Sequence, residues 1–281
     1  MAFSGAVLAV ALLWGAAPAR AQQRPLVTED PETVGEGRVL IEAGFDHAWG
    51  QLFPVSGLEG NLLRVPLVGV SVGLSAIAEL QIDGGFHNRL AITERRAGAL
   101  SDMVTATGAS TTAVEDLVVA TKIRLAPEGG TRPSIGIRFA TRLPNASNES
   151  GLGLDTTDFF VAILMAKTVR SVRTVGNLGL GILADPTRGD RQNDVLTYGL
   201  SMARALTERA EVVGEINGRL DTRSGEPPPG TESRGTVRLG GRYTVGAWRA
   251  DGAMLIGVAA SDPGFGVAAG FTYVFNAFRL P

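Results

Sequence analysis

Apolar and polar residues alternate along several segments of this chain. In the segment 209–221 (RAEVVGEINGRLD), Val212 and Leu220 share an uncharged parity, and the charged residues occupy the other parity. The segments 233–245 and 264–275 also alternate, the last between aromatic or aliphatic residues and Gly, Ala or Thr. Because successive side chains of a strand point to opposite faces, each segment predicts a β-strand with two unlike sides.

Nine further segments alternate in the same way, so we predict about 12 strands in total. They are 38–48, 62–70, 74–83, 115–126, 133–143, 157–169, 173–184, 194–205 and 247–259. Long polar or Gly-rich connections follow the odd strands (49–61, 93–113, 144–156, 185–193 and 223–231), and short gaps follow the even ones. This layout predicts an all-β fold, a single antiparallel transmembrane β-barrel.

In such a barrel the apolar sides of the strands face lipid and the polar sides line the lumen. We therefore expect a set of charged residues to face the lumen, where they either brace the barrel by cross-strand pairing or contact a solute. These candidate binding residues are Glu211, Glu215, Arg219, Arg234, Arg238, Arg242, Arg138, Arg142, Lys122 and Arg124. Aromatic residues near the strand ends are candidates for interface girdles: Trp49, Phe159, Phe160, Trp248, Phe271 and Tyr273.

The beginning of the chain resembles an export signal. Residues 6–17 (AVLAVALLWGAA) are apolar but too short to span a membrane, and Ala19-x-Ala21 follows as a cleavage site. We predict a signal peptide at 1–21, a periplasmic N-terminal segment at 22–37 and a barrel at 38–281. The expected location is the outer membrane of a Gram-negative cell, with membrane lipid and the barrel-insertion machinery as partners.

Composition disfavours several other classes of function. Lys and Arg number 26 against 28 Asp and Glu, for a net charge of −2, which argues against a nucleic-acid partner. The chain has no Cys and only two His, His47 and His87, so Cys nucleophiles and His-built metal cages are not expected. We therefore predict no catalytic residue, no metal and no cofactor.

One short motif leaves an enzymatic alternative open. Residues 69–73 (GVSVG) match the G-x-S-x-G pattern of serine hydrolases, which requires a strand–turn–helix context and a His base. Here the motif lies between two predicted strands, so we interpret it as a tight periplasmic turn. The alternatives to a channel are an outer-membrane hydrolase that uses Ser71 and a soluble periplasmic β-protein that binds a ligand or partner.

Two stretches of the chain resemble a known family. Residues 25–37 (PLVTEDPETVGEG) precede 41–44 (IEAG), and Leu143-Pro144 leads through 151–153 (GLG) to 155–159 (DTTDF). Both are similar to the outer-membrane proteins named for the phenol-degradation meta-pathway and labelled transporters. The resemblance implies an outer-membrane barrel that takes up small compounds, aromatic or hydrophobic ones among them. It implies no catalytic residues. We expect passive passage or binding of a small solute.

Overall fold

The computed structural model describes residues 24–278. The predicted signal peptide at 1–21 lies outside the described residues, and the division of the chain into three parts stays a prediction. Apart from two single 3-10 turns, Ser101–Met103 and Asn148–Ser150, the regular structure is β. In residues 24–278, no helix is long and apolar enough to cross a membrane.

The described residues form one antiparallel sheet of fourteen strands. The strands are β1 (Arg38–Phe53), β2 (Leu58–Gly73), β3 (Ala78–Gly85), β4 (Asn88–Arg95), β5 (Ser110–Ala113), β6 (Leu117–Ala126), β7 (Ser134–Leu143), β8 (Asp158–Val169), β9 (Val172–Ala184), β10 (Gln192–Ala205), β11 (Ala210–Asp221), β12 (Arg234–Val245), β13 (Trp248–Gly257) and β14 (Phe265–Asn276). The sheet closes on itself because β1 pairs with both β14 and β2. Closure pairs the strands of the barrel wall on both sides, which is the condition for a sheet to span a membrane, and among the described residues only the short β5 has a single partner strand.

Four of the strands fill only two positions in the barrel. β3 and β4 pair with successive halves of β2, with Gly85 opposite Leu67 and Asn88 opposite Arg64. β6 and β5 continue this arrangement, pairing with β3 and β4 respectively. Fourteen strands less these two duplications give twelve barrel positions. The predicted barrel of about 12 strands is confirmed.

The predicted connections at 49–61 and 93–113 are partly wrong. β1 and β2 extend to a turn at 54–57, and β4 and β5 occupy both ends of 93–113. The β1–β2 pairing contains two register irregularities, one of them between Ala48 and Gln51. Such bulges shift the parity of the side chains, so the alternation that predicts a strand is lost where the strand continues.

The two faces of the sheet have the polarity of a membrane barrel. Leu239 and Met254 are among the outward side chains, 66% and 62% exposed, while Lys122, Glu79 and Asp158 are fully buried inside. In a water-soluble protein large apolar residues are mostly buried and charged ones mostly exposed. The prediction that the apolar sides face outward is confirmed.

Outward aromatic rings form two groups at opposite ends of the barrel. At the loop end, where the long connections lie, Trp49 stacks on Phe265 with ring centroids 5.5 Å apart and on His47 at 4.3 Å. At the turn end, Trp248 stacks on Tyr273 at 4.3 Å. Two aromatic belts at the opposite ends of an apolar band are typical of outer-membrane barrels, where they lie at the membrane interfaces.

The connections at the loop end pack against one another rather than into solvent. Leu58, Leu62 and Leu90 form a buried apolar cluster, against which Val104 and Leu152 of two longer connections pack. Backbone hydrogen bonds also join the connection 96–109 to its neighbours, such as that from the Thr105 N–H to the Glu149 carbonyl at 2.9 Å. The rim of the barrel is thus a packed structure.

An arginine introduced on the outer face should destabilise the folded barrel more at mid-strand than near a strand end. We expect Leu239→Arg, in the middle of β12, to lower the free energy of unfolding in lipid vesicles by about 2–4 kcal/mol. Leu206→Arg, in the turn after β10, should lower it by no more than about 1 kcal/mol, because that position lies near the interface. Urea titration of both variants in the same vesicles measures the difference. Equal costs would contradict a lipid-facing outer surface.

Candidate functional site

Residues 24–34, here called the N-terminal segment, run inside the barrel. The backbone N–H groups of Val27 and Thr28 donate to the Glu215 carboxylate of β11 at 2.8 to 2.9 Å. Asn177 of β9 bonds to both the N–H and the carbonyl of Glu29, each at 2.7 Å. The Val34 N–H donates to Glu79 of β3 at 2.6 Å. The segment therefore crosses the lumen from one wall to another.

Acidic side chains of the N-terminal segment pair with basic residues of the wall. Asp30 receives two hydrogen bonds from Arg173, at 2.5 and 2.6 Å. Glu32 accepts from Arg124 at 2.6 Å. A guanidinium that binds both oxygens of one carboxylate is among the strongest pairs available to a protein, so Arg173 is a principal anchor of the segment.

Glu29 pairs with the wall between these anchors. Its carboxylate lies 3.1 Å from Nε of Arg138 and 3.4 Å from Nζ of Lys122. Lys122 also pairs with Glu79 at 2.9 Å and is fully buried. Breaking such a buried pair from one side leaves an uncompensated charge, which costs about 3–5 kcal/mol.

Arg24 begins the described part of the segment and lies against β13, β14 and β1. It pairs with Asp251 at 3.5 Å, and its Nη2 donates to the Ala269 carbonyl at 2.9 Å. A side chain at Gly44 or Gly270 would collide with the Arg24 guanidinium. The small inward residues of the last strand thus make room for this arginine.

The carboxylate of Glu128, at the turn end of the barrel, has a lowered pKa. Glu128, in the connection after β6, accepts from the Thr168 N–H at 2.9 Å and from Arg173 at 3.1 Å. Burial raises the pKa of Glu128, but the bonds from Thr168 and Lys167 outweigh it and hold that pKa below its usual value. Glu128 therefore stays ionised and supports Arg173.

The structure places the predicted lumen residues in two groups. Six contact the N-terminal segment or its direct partners: Glu215, Arg238, Arg242, Arg138, Lys122 and Arg124. Four lie elsewhere on the lumen wall: Glu211, Arg219, Arg234 and Arg142. Their role in binding a solute stays a prediction.

The predicted cross-strand ladder between β11 and β12 has the expected register. Glu211 lies opposite Arg242, Glu215 opposite Arg238, and Arg219 opposite Arg234. Arg238 Nε lies 3.6 Å from Glu215, but the shorter hydrogen bonds of that carboxylate come from the N-terminal segment. The wall charges therefore bind the segment as well as each other.

The sequence did not reveal Arg173 and Asn177 as site residues. Both lie on β9, and their partners are Asp30 and Glu29 of the N-terminal segment. Three acidic residues within 29–32, next to a barrel with basic inward positions, were the available signal.

Two connected cavities lie above the N-terminal segment, toward the loop end. The larger is about 680 Å³, and Pro25, Leu26 and Val27 form part of its wall. The smaller, here called the upper cavity, is about 320 Å³ and lies beneath the loops. Arg142 and Arg234 line both, so the two form one chamber, here called the vestibule.

The interpretation of residues 69–73 as a tight turn is wrong, since all five lie within β2. Ser71 is paired with Leu40 of β1 and Gln81 of β3. His47 stacks on Trp49 at the outer surface, and His87 is exposed in the connection between β3 and β4. A nucleophile elbow needs a strand followed by a helix, and β2 is followed by the strand β3.

No protein-family model matches this chain. No curated protein matches it by sequence. Among solved structures it is similar to the COG4313 outer membrane channel from Pseudomonas putida F1, with a TM-score of 0.60, 12% identity, and coverage of 88% of this chain and 98% of that chain. At this identity the likeness is one of fold.

Two further solved structures are less similar to this chain. The translocator domain of the autotransporter NalP from Neisseria meningitidis has a TM-score of 0.48 and 15% identity, covering 85% of this chain and 88% of its own. The Pseudomonas putida toluene transporter TodX has a TM-score of 0.38 and 11% identity, covering 89% and 92%.

Closure of the sheet, its inverted polarity and the Pseudomonas putida channel fold agree: this chain is an outer-membrane β-barrel of twelve strand positions, and a soluble periplasmic protein is not supported.

Proposed function

We propose that the protein is an outer-membrane channel that admits small solutes to the vestibule, and that the N-terminal segment controls passage toward the turn end. The main support for this proposal is the vestibule itself, a chamber that is lined by charged residues and whose floor is the N-terminal segment. The vestibule wall includes Arg64 and Arg142, while Pro25 and Val27 belong to the floor. We propose passage rather than ester hydrolysis, because neither histidine lines the vestibule and a serine nucleophile of the G-x-S-x-G type needs a His base.

The nature of the contacts supports a floor that can be released. The N-terminal segment is attached mainly by hydrogen bonds and ion pairs, such as those of Glu215 and Arg173. Its apolar anchors are few, with Val34 in a small cluster beside Leu40 and Val274. Hydrogen bonds to a charged group contribute about 1.5–3 kcal/mol each, so loss of one anchor changes the population of the released state substantially.

The vestibule also has an apolar side, which favours the binding of solutes that have an apolar part. Phe53, Val55 and Leu152 line its upper cavity. Leu152 belongs to one of the two stretches that resemble the phenol-degradation family. Together these features support aromatic or hydrophobic compounds as the solute class.

Removal of the Glu215 carboxylate should expose the N-terminal segment. The chain has no Cys, so Thr28→Cys introduces a unique thiol at a buried position. We expect Glu215→Ala to raise the rate at which a water-soluble maleimide modifies this thiol by about tenfold or more, since tenfold corresponds to only 1.4 kcal/mol. Mass spectrometry over time measures the rate.

Glu94→Ala is the matched control, because this exposed carboxylate pairs with Arg96 at the loop end, far from the segment. It should leave the thiol as protected as in the parent. Equal rates in all three proteins would show that Glu215 does not hold the segment in place.

Passage itself is tested by solute efflux from proteoliposomes. The parent should release small polar solutes that a bilayer retains, such as glucose, faster than protein-free vesicles do. Glu215→Ala should release them several-fold faster still, while Glu94→Ala should match the parent. Absence of efflux from both the parent and Glu215→Ala, in vesicles whose protein is correctly folded, would overturn the channel.

A further inference from the structure

Two arginines at the loop end of the vestibule face each other across neighbouring strands. Arg219 of β11 and Arg234 of β12 are directly opposite in the register. Both line the upper cavity of about 320 Å³. Like charges placed directly opposite each other destabilise a pair of strands, so this arrangement requires a compensating partner.

Backbone carbonyls, rather than carboxylates, are the hydrogen-bond acceptors of these arginines. Arg219 donates through Nε to Glu232 at 2.9 Å and through Nη2 to Gly230 at 2.7 Å. Arg234 donates through Nη1 to Ser261 at 3.1 Å. Among residues 24–278, neither guanidinium forms an ion pair with a side-chain carboxylate. Each therefore retains N–H groups that a further acceptor can use.

The other two arginines of the same cavity are compensated. Arg64 pairs with Asp46 and Glu115, and Arg142 pairs with Asp158 and Asp116. The contrast within one cavity sets Arg219 and Arg234 apart from the bracing pairs.

The acidic residues near this arginine pair already have partners in the backbone. Glu232 accepts from the Gly230 N–H at 2.7 Å, and Asp262 accepts from the Gly235 and Ala259 N–H groups at 2.7 and 3.0 Å. Asp116, on the cavity wall, accepts from backbone N–H groups at 145 and 146. These bonds hold the carboxylates in place, and among residues 24–278 none of the three forms an ion pair with Arg219 or Arg234.

The rest of the cavity wall is largely apolar on its loop side. Phe53, Val55, Leu152 and Leu154 contribute to it, and Phe53 and Leu152 also pack against the buried apolar cluster of the rim. A cavity of roughly 150 Å³ is enough to hold benzene. The upper cavity therefore has room for a single aromatic ring with a charged substituent.

We propose that Arg219 and Arg234 bind the carboxylate of a small aromatic or aliphatic acid, whose apolar part lies against Phe53, Val55 and Leu152. This inference rests on the proposed channel function and names its solute class as organic monocarboxylates. Guanidinium groups match the planar geometry of a carboxylate, and an apolar pocket with a few convergent polar groups is the usual form of a small-molecule site.

Binding of benzoate and of benzamide to the detergent-folded protein tests the proposal directly. The two probes have the same ring, and only benzoate carries a charge. Calorimetry should give benzoate an affinity at least about tenfold higher than that of benzamide, and higher than that of inorganic phosphate, which lacks the ring. Equal affinity for benzoate and benzamide, or a preference for phosphate, would overturn the proposal without any variant.

The double variant Arg219→Gln with Arg234→Gln should remove the preference for benzoate. Arg249→Gln is the matched control, because Arg249 is an inward arginine near the turn end, 3.7 Å from Glu211. It should keep the preference. Retained preference in the double variant would overturn the assignment of these two residues.

Efflux measurements separate this proposal from the channel function beneath it. If the parent releases glucose from vesicles but does not prefer benzoate in calorimetry, the carboxylate site is wrong and the channel stands. If benzoate binds with the expected preference but no solute is released, the site stands as a binding site and the channel is wrong.

Discussion

Charges enclosed by this barrel are compensated by a segment of the same chain. The inward basic residues Lys122, Arg173 and Arg138 are paired with Glu29 and Asp30, which are two of the three acidic residues of the N-terminal segment. A charge withdrawn from water costs several kcal/mol unless it is paired and hydrogen-bonded, and lipid outside the wall provides no such partner. The polarity of the strands and the course of the segment are therefore two consequences of one constraint.

This constraint divides the lumen into two regions with different chemistry. Toward the turn end, the segment and the wall satisfy each other, as Glu215 does with the N–H groups of Val27 and Thr28. Toward the loop end, the wall carries Arg219 and Arg234 without carboxylate partners among the described residues, next to apolar side chains of the rim. The lower region is suited to closing the passage, and the upper region is suited to holding a solute.

Strands were predictable from sequence because each has an outward side that meets lipid and an inward side that meets polar groups, which imposes a period of two. The prediction failed where bulges in β1 and β2 shift the parity, near Ala48. The inward direction of Arg219 and Arg234 was also predictable. Contacts such as Thr28 with Glu215 were not, because the residues are separated by 187 positions and the segment has no period of its own.

The most direct test of the account is a disulfide between the N-terminal segment and the inner wall. A Cβ at Gly199 of β10 would lie 3.5 Å from that of Thr28, which is within the range for a disulfide. In a chain without other cysteines, Thr28→Cys with Gly199→Cys should cross-link fully under mild oxidation of the membrane-embedded protein. Thr28→Cys with Leu200→Cys, on the outer face, should not. Cross-linking in neither pair, or equally in both, would contradict a segment held inside the barrel.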